Sequence, residues 1–169
     1  MHAANPMATE TDASRGATGP GRRIARIARL AVCLLTLPAA AQAQYTYSIA
    51  NNTVTIKKYI WAESVVAVPS TIEGKPVVAI EKWAFSGSPN LTEVSIPAGV
   101  SSIGTGAFAW CDRLTQITVD GLNPAYLSEN GVLFNKSKTQ LIQYPGGKGG
   151  GYAIPSGVAT IGARAFYSC

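Results

Sequence analysis

The chain has 169 residues, of which 14 are Lys or Arg and nine are Asp or Glu, so its net charge is +5. A signal peptide is predicted over residues 1–43, and its removal takes five Arg and two acids and leaves a net charge of +2. So weak a charge, without a basic run, argues against a nucleic-acid-binding protein. The single histidine, His2, lies in the same segment, which leaves no imidazole for general-base catalysis or metal binding.

The signal-peptide prediction rests on the order of three short segments. Residues 21–30 (GRRIARIARL) are basic, residues 30–37 (LAVCLLTL) are apolar, and residues 39–44 (AAAQAQ) offer small residues for cleavage between Ala43 and Gln44. The apolar segment is too short to span a bilayer as a helix. We therefore expect an exported protein, secreted or held at the cell surface, that contacts the membrane only through this signal.

Two alternating runs follow on either side of Asn51-Asn52. Alternate positions form one face of each run: Tyr45, Tyr47 and Ile49 in the first, and Val54, Ile56 and Lys58 in the second. Alternation on both sides of a short polar turn is typical of a β-hairpin. The sequence therefore predicts an N-terminal hairpin over residues 44–64 that caps the rest of the chain.

Residues 65–169 repeat a unit whose clearest copy is 91–113 (LTEVSIPAGVSSIGTGAFAWCDR). Residues 154–169 (IPSGVATIGARAFYSC) keep its spacing, and residues 65–90 form a copy with five extra residues. Leu91, Val94 and Ile96 are placed to point inward from a strand, which Pro97 ends because proline cannot donate to a ladder. Val100 and Ile103 return to the core across a bend, with a corner at Gly104. Ala107-Phe108 then begins a short helical or 3-10 turn.

Each unit has an apolar face that it cannot cover alone, so neighbouring units must stack. A period in the low twenties with one short strand per unit predicts a leucine-rich-repeat solenoid with a parallel β-sheet. The outward positions of its strands form a weakly charged polar strip. This candidate partner-binding strand face consists of Thr92, Glu93, Ser95, Thr115, Gln116 and Thr118.

A variant unit is predicted at about residues 114–151. It opens like a repeat with LTQITVDG and then departs into a longer segment, in which GVLF and TQLIQY predict a second hairpin around residues 135–138. The next copy is expected to begin with a strand at Tyr152. The glycine-rich stretch before it lacks the Ser or Thr that a phosphate-binding loop requires after Lys148, so we interpret it as a connection between units.

The pattern L-x-x-V-x-I-P-x-x-V-x-x-I-G-x-x-A-F-x-x-C resembles the BspA-type leucine-rich repeats over about residues 45–169. The resemblance implies a secreted or surface-exposed bacterial protein used in adhesion and binding, generally without catalysis. It supplies no catalytic, cofactor-binding or metal-binding residues, and we expect no cofactor. We therefore expect a non-catalytic module that recognises a protein or carbohydrate partner through its repeat surface.

Two other functions stay open. The repeats could be a structural spacer of a larger surface protein, and because the chain stops inside a unit at Cys169 we interpret it as a fragment; the alternative is a short chain whose exposed end docks onto a partner. A glycan hydrolase would need two carboxylates across a cleft, for which Glu63 and Glu93 are the candidates. Solvated surface charge is the simpler interpretation of that pair.

Two further sets of residues have competing interpretations. Cys111 and Cys169 occupy the same position of the repeat, which favours small buried thiols over a disulfide between them. Trp61, Trp83 and Trp110 are candidates for a sugar-stacking platform, although packing at the core edge is the favoured interpretation.

Overall fold

The computed structural model describes residues 44–60, 62–167 and 169, and the predicted signal peptide lies outside them. This part of the chain consists of β-strands and turns without an α-helix. The strands are β1 (Tyr45–Ala50), β2 (Thr53–Tyr59), β3 (Val65–Ala67), β4 (Thr71–Ile72), β5 (Lys75–Ile80), β6 (Glu93–Ile96), β7 (Ser102–Ile103), β8 (Gln116–Val119), β9 (Tyr126–Glu129), β10 (Val132–Asn135), β11 (Gln140–Gln143) and β12 (Thr160–Ile161). No described residue belongs to a helix long and apolar enough to cross a membrane.

The predicted N-terminal hairpin is present, with β1 and β2 paired antiparallel. Its turn residues Asn51 and Asn52 have φ values of 49° and 59°. Two successive positive φ values are those of a type I′ turn, whose twist matches that of the flanking strands. β2 also pairs in parallel with β5, so the hairpin continues directly into the stack of repeats.

One side-chain assignment in the hairpin was wrong. Lys58 is exposed, and its neighbour Tyr59 is buried in its place. The cause is a bulge: Thr46 pairs with Lys58 but Tyr47 pairs with Ile56, which leaves one extra residue on β2. An extra residue shifts the alternation by one, so each following side chain changes face.

Strands of successive units pair in parallel and form two sheets that run along the stack, which confirms the predicted solenoid. β3, β6 and β8 form one sheet, with Val66 beside Val94 and Val94 beside Ile117. β2, β5 and β7 form the other. The sequence predicted β2 as a hairpin strand but only a bend at β7, because a two-residue strand is too short to show an alternation. In the first unit, β4 and β5 form a small antiparallel hairpin that accommodates the extra residues.

The Ala-Phe turns fill the space between the two sheets. Phe85 is fully buried, and its ring stacks on those of Phe108 and Tyr59 with centroids 5.2 and 5.3 Å apart. Ala107 N–H donates to the Gly104 carbonyl at 3.1 Å, the three-residue separation of a 3-10 turn. At the predicted corner, a Cβ on Gly104 would lie 2.3 Å from the backbone nitrogen of Lys82. Glycine is needed there because successive coils touch through their backbones.

The variant unit contains the predicted β10–β11 hairpin and a third strand that the sequence analysis missed. β9 pairs antiparallel with β10 across Asn130 and Gly131, whose φ values are 51° and 79°. The Asn-Gly pair is the strongest short hairpin signal, so this strand could have been found.

A buried asparagine joins the variant unit to the preceding repeat. The Asn123 side chain donates from Nδ2 to the carbonyls of Pro97 and Val100, at 3.0 and 2.9 Å. Its Oδ1 accepts the backbone N–H groups of Ala125 and Tyr126, at 2.9 and 2.8 Å. Two donors and two acceptor positions are therefore all used, as a buried amide requires.

The strand predicted at Tyr152 was wrong, since residues 152–154 form no strand. Ile154 is 46% exposed, whereas its repeat equivalent Ile96 is 1% exposed. The place beside β8 that this strand would take is occupied by the variant unit, because the Ile117 N–H donates to the Gly131 carbonyl at 2.9 Å. The last unit instead joins through β12, which pairs in parallel with β11.

Candidate binding surface

The structure brings the six predicted strand-face residues together on the β3–β6–β8 sheet. Glu93 pairs with Gln116 and Ser95 pairs with Thr118 in adjacent strands, while Thr92 and Thr115 directly precede these strands. Of the alternating residues of the same strands, Val94, Ile96 and Ile117 are buried in the core and Val119 is partly buried. The sheet thus arranges the predicted strip as rows across neighbouring units.

The three threonines of this strip are engaged within the fold. The Thr92 hydroxyl donates to the Ser64 carbonyl at 2.9 Å, and the Thr115 hydroxyl donates to the Thr92 carbonyl at 3.2 Å. Thr118 donates to the Val94 carbonyl at 3.4 Å. Each hydroxyl therefore bonds to the unit before it, and these side chains connect successive coils.

The other three residues have polar groups left for a partner. Within the described part of the chain, the side chains of Glu93, Ser95 and Gln116 make no hydrogen bond to another residue. Gln116 is exposed, and Glu93 and Ser95 are partly exposed. They supply a carboxylate, a hydroxyl and a carboxamide on adjacent strands.

A shallow groove of about 340 Å³ runs across the carboxyl ends of the same strands. It is lined by Val68, Ser95, Ile96, Pro97, Thr118, Val119 and Asp120. The Asp120 carboxylate accepts the backbone N–H of Leu122 at 2.8 Å, which fixes its position at one end. The groove combines apolar walls with a few polar groups, the usual composition of a ligand site.

A second cavity, of about 360 Å³, lies between the repeat at residues 91–113 and the variant unit. No pattern in the sequence indicates it. It forms where Ile103–Phe108 faces Tyr126, β11 and Gly162. The Tyr126 hydroxyl accepts the backbone N–H of Ile103 at 2.9 Å, and burial raises the pKa of this phenol. The amide nitrogen of buried Gln143 donates to the carbonyls of Tyr144 and Ala165, at 2.8 and 3.1 Å.

An aromatic cluster lies on the turns, away from the strand face, and consists of Trp83, Trp110, Tyr167 and Arg164. The two indoles stack with ring centroids 5.7 Å apart, and Tyr167 meets Trp110 edge to face at 5.0 Å. The Arg164 guanidinium lies 4.6 Å from the Trp83 ring centroid and 5.3 Å from that of Tyr167.

Trp110 is 48% exposed, so it does not simply cover the core edge, whereas Trp83 is half-buried. Trp61 lies outside the described residues. Arg164 and Tyr167 were missed because they are 54 and 57 residues from Trp110 along the chain. Only the stacking of the last unit brings them together with the tryptophans.

The carboxylates proposed for a hydrolase lie at different positions along the strand ladder. Val65 pairs with Glu93, which places Glu63 two residues before the sheet. The Glu63 carboxylate instead accepts a hydrogen bond from Gln44 Nε2 at 3.1 Å. In the described part of the chain, no three His, Cys, Asp or Glu side chains gather as a metal site would require.

Both cysteines of the repeats are free thiols. Cys111 is buried as predicted, with Sγ 3.1 Å from the Phe85 carbonyl, and burial raises its pKa to about 11. The prediction of a buried thiol was wrong for Cys169, which is exposed. The difference arises because Cys111 has a unit packed on each side, whereas Cys169 lies in the last described turn.

Comparison with known proteins gives the family. Residues 43–146, more than half of the chain, match the BspA type leucine rich repeat region in six copies. The chain belongs to the BspA-type leucine-rich repeat family. The matched range includes the N-terminal hairpin and most of the variant unit, so the family pattern extends through both.

Two solved structures have the same fold. The T. pallidum leucine-rich repeat protein is 25% identical with a TM-score of 0.54, and the match covers 74% of this chain and 64% of that one. A leucine-rich repeat protein from Eubacterium ventriosum is 21% identical with a TM-score of 0.51, over 71% of this chain and 54% of that one. This chain thus spans less than two thirds of the length of either. No curated protein matches.

Proposed function

We propose that this chain is a non-catalytic binding module, secreted or exposed at a bacterial cell surface, that recognises a protein or carbohydrate partner through its repeats. The observation that carries the proposal is the strand face, where Glu93, Ser95 and Gln116 lie on adjacent strands without hydrogen bonds to other described residues. The groove beside them adds apolar surface to these polar groups.

Export and the absence of catalysis belong to the same proposal. The basic, apolar and small-residue segments before Gln44 support cleavage after Ala43 and passage to the exterior. The family supports a binding role, and the residues that follow the leader contain no histidine. A fold does not establish a function, so the partner has to be found by measurement.

The test is a binding experiment on the exported protein. The native protein and a Glu93→Ala/Gln116→Ala variant are titrated against a glycan array and a panel of purified extracellular proteins. We expect saturable binding to at least one partner and at least a tenfold loss in the variant, about 1.4 kcal/mol.

A matched control is Thr46→Ala/Lys57→Ala, which removes an exposed polar side chain and an exposed charge from the N-terminal hairpin. It should bind as the native protein does. A native protein that binds nothing on either panel would overturn the proposal and favour the spacer function.

A further inference from the structure

We propose that the aromatic cluster formed by Trp83, Trp110, Tyr167 and Arg164 is a binding site for an oligosaccharide that bears a carboxylate, such as one containing a uronic acid. The inference rests on the proposed binding function and names a ligand class and a second surface for it.

The backbone gives the first reason. Trp83 and Trp110 have φ values of 62° and 54°, in the left-handed region that bulky side chains avoid. Glycine occupies the equivalent positions in a neighbouring unit, since Gly106 corresponds to Trp83 and Gly87 to Trp110, with φ values of 67° and 72°. In the last unit Arg164 takes the place of Trp83, with φ of 65°. The fold therefore needs no tryptophan at either place. Strained residues that the fold does not require point to a function for their side chains.

The arrangement of the rings gives the second reason. A Cβ on Gly106 would lie 2.5 Å from the Trp83 ring, so the absence of a side chain there lets this indole lie flat against the next coil. Trp110 stacks on it and stays 48% exposed, and Tyr167 is 37% exposed. The three rings thus form a packed and partly exposed cluster, and a ligand would not have to order these side chains on binding.

The exposure and the charge of the aromatic cluster indicate which class of ligand it would bind. None of its four residues lines either of the two cavities described above, so the cluster is a separate surface feature. The exposed part of Trp110 suits the C–H face of a pyranose, because the negative face of an aromatic ring attracts the weakly positive hydrogens of the sugar.

Two cations flank Trp83. Arg164 lies over its ring, and the Lys58 ammonium donates to the backbone carbonyls of Trp83 and Ser86, at 3.4 and 3.0 Å. Among the described residues the only ion pair joins Lys138 and Glu129, so neither cation is neutralised by a carboxylate. A sugar carboxylate would supply the missing negative charge, which favours an acidic sugar over a neutral one.

The experiment compares three variants with the native exported protein on matched acidic and neutral oligosaccharides. Trp110→Gly adopts the residue already present at the equivalent Gly87, so the fold is kept, and we expect the affinity for the acidic sugar to fall roughly tenfold or more. Arg164→Gln should reduce the affinity for the acidic sugar alone and weaken the dependence of this affinity on salt. Leu122→Ala, which shortens a side chain 85% exposed in the variant unit, should bind as the native protein does.

The outcomes separate this site from the strand face. If Trp110→Gly binds acidic sugars normally and Glu93→Ala/Gln116→Ala does not, the aromatic cluster is not the site while the binding function stands. Binding to proteins only, without any glycan, likewise overturns the sugar site and leaves the binding function in place. A native protein that binds neither class overturns both proposals.

Discussion

The strand face and the aromatic cluster present their side chains in opposite ways. On the strand face, half of the polar strip is engaged internally, as when Thr92 donates to the Ser64 carbonyl of the preceding unit. In the aromatic cluster, Trp110 sits on a strained backbone and leaves almost half of its surface in solvent. Half of the residues of the strand face thus help neighbouring units to stack. The residues of the aromatic cluster are not required for stacking.

The difference shows how to separate structural from functional residues in a repeat protein. An outward side chain that bonds to the neighbouring coil, such as Thr118, serves stacking wherever it occurs. A side chain with no internal partner, or one whose backbone conformation is costly, has no such explanation. This criterion sets the threonines aside and selects four residues: Glu93, Ser95, Gln116 and Trp110.

The largest expected effect comes from a substitution in the hydrophobic core, on which both surfaces depend. Phe85 is fully buried between Tyr59 and Phe108, so Phe85→Ala leaves a cavity between coils and should cost about 3–5 kcal/mol of the free energy of unfolding. Denaturant unfolding followed by circular dichroism measures this loss. Since cooperativity runs along the stack, both surfaces should lose their ligands together; survival of either one would show that the two surfaces fold independently.

A substitution at Gly106 should affect the aromatic cluster alone. An alanine Cβ would meet the Trp83 ring at 2.5 Å on a backbone with φ of 67°, so Gly106→Ala should displace the indole and cost about 1–3 kcal/mol. Tryptophan fluorescence reports the displacement, and denaturant unfolding reports the cost. Gly74→Ala is the matched control, because Gly74 has a similar φ of 70° and nothing lies within 4 Å of its added Cβ. Unchanged fluorescence in Gly106→Ala would mean that Trp83 is not packed on this glycine.

The stacked repeats could be predicted from the sequence because their signals are local and recur. Leu91, Val94 and Ile96 return at fixed spacing, and all three are buried as expected. The last unit departs from the prediction for a non-local reason. The variant unit occupies the edge of β8, so Ile154 has no strand to pair with although its own sequence is regular.

The two candidate sites also differ in how far they could be predicted from local sequence. The strand face follows from alternation within one unit: four of the six predicted residues lie in adjacent strands of one sheet, and the other two directly precede these strands. The aromatic cluster depends on how units far apart in sequence are stacked, so Arg164 and Tyr167 could not be assigned to it beforehand. Alternation also does not reveal which hydroxyl groups are used internally, since that depends on the distance between coils.

The smallest expected effect tests whether the strand face contains two kinds of residue, those that join neighbouring units and those that bind a partner. Thr118→Val keeps the shape of the side chain and removes the hydrogen bond to the Val94 carbonyl, so it should cost about 0.5–1 kcal/mol of stability and leave partner binding unchanged. Ser95→Ala, on the paired position of the adjacent strand, removes a hydroxyl without an internal partner in the described residues and should leave stability within about 0.5 kcal/mol of the native value. Its effect should appear in partner affinity instead.

Thermal unfolding and partner titration of both variants check that Thr118→Val changes stability alone and Ser95→Ala changes partner affinity alone. If Thr118→Val weakens binding as much as Ser95→Ala does, the internal hydrogen bonds do not separate stacking residues from binding residues.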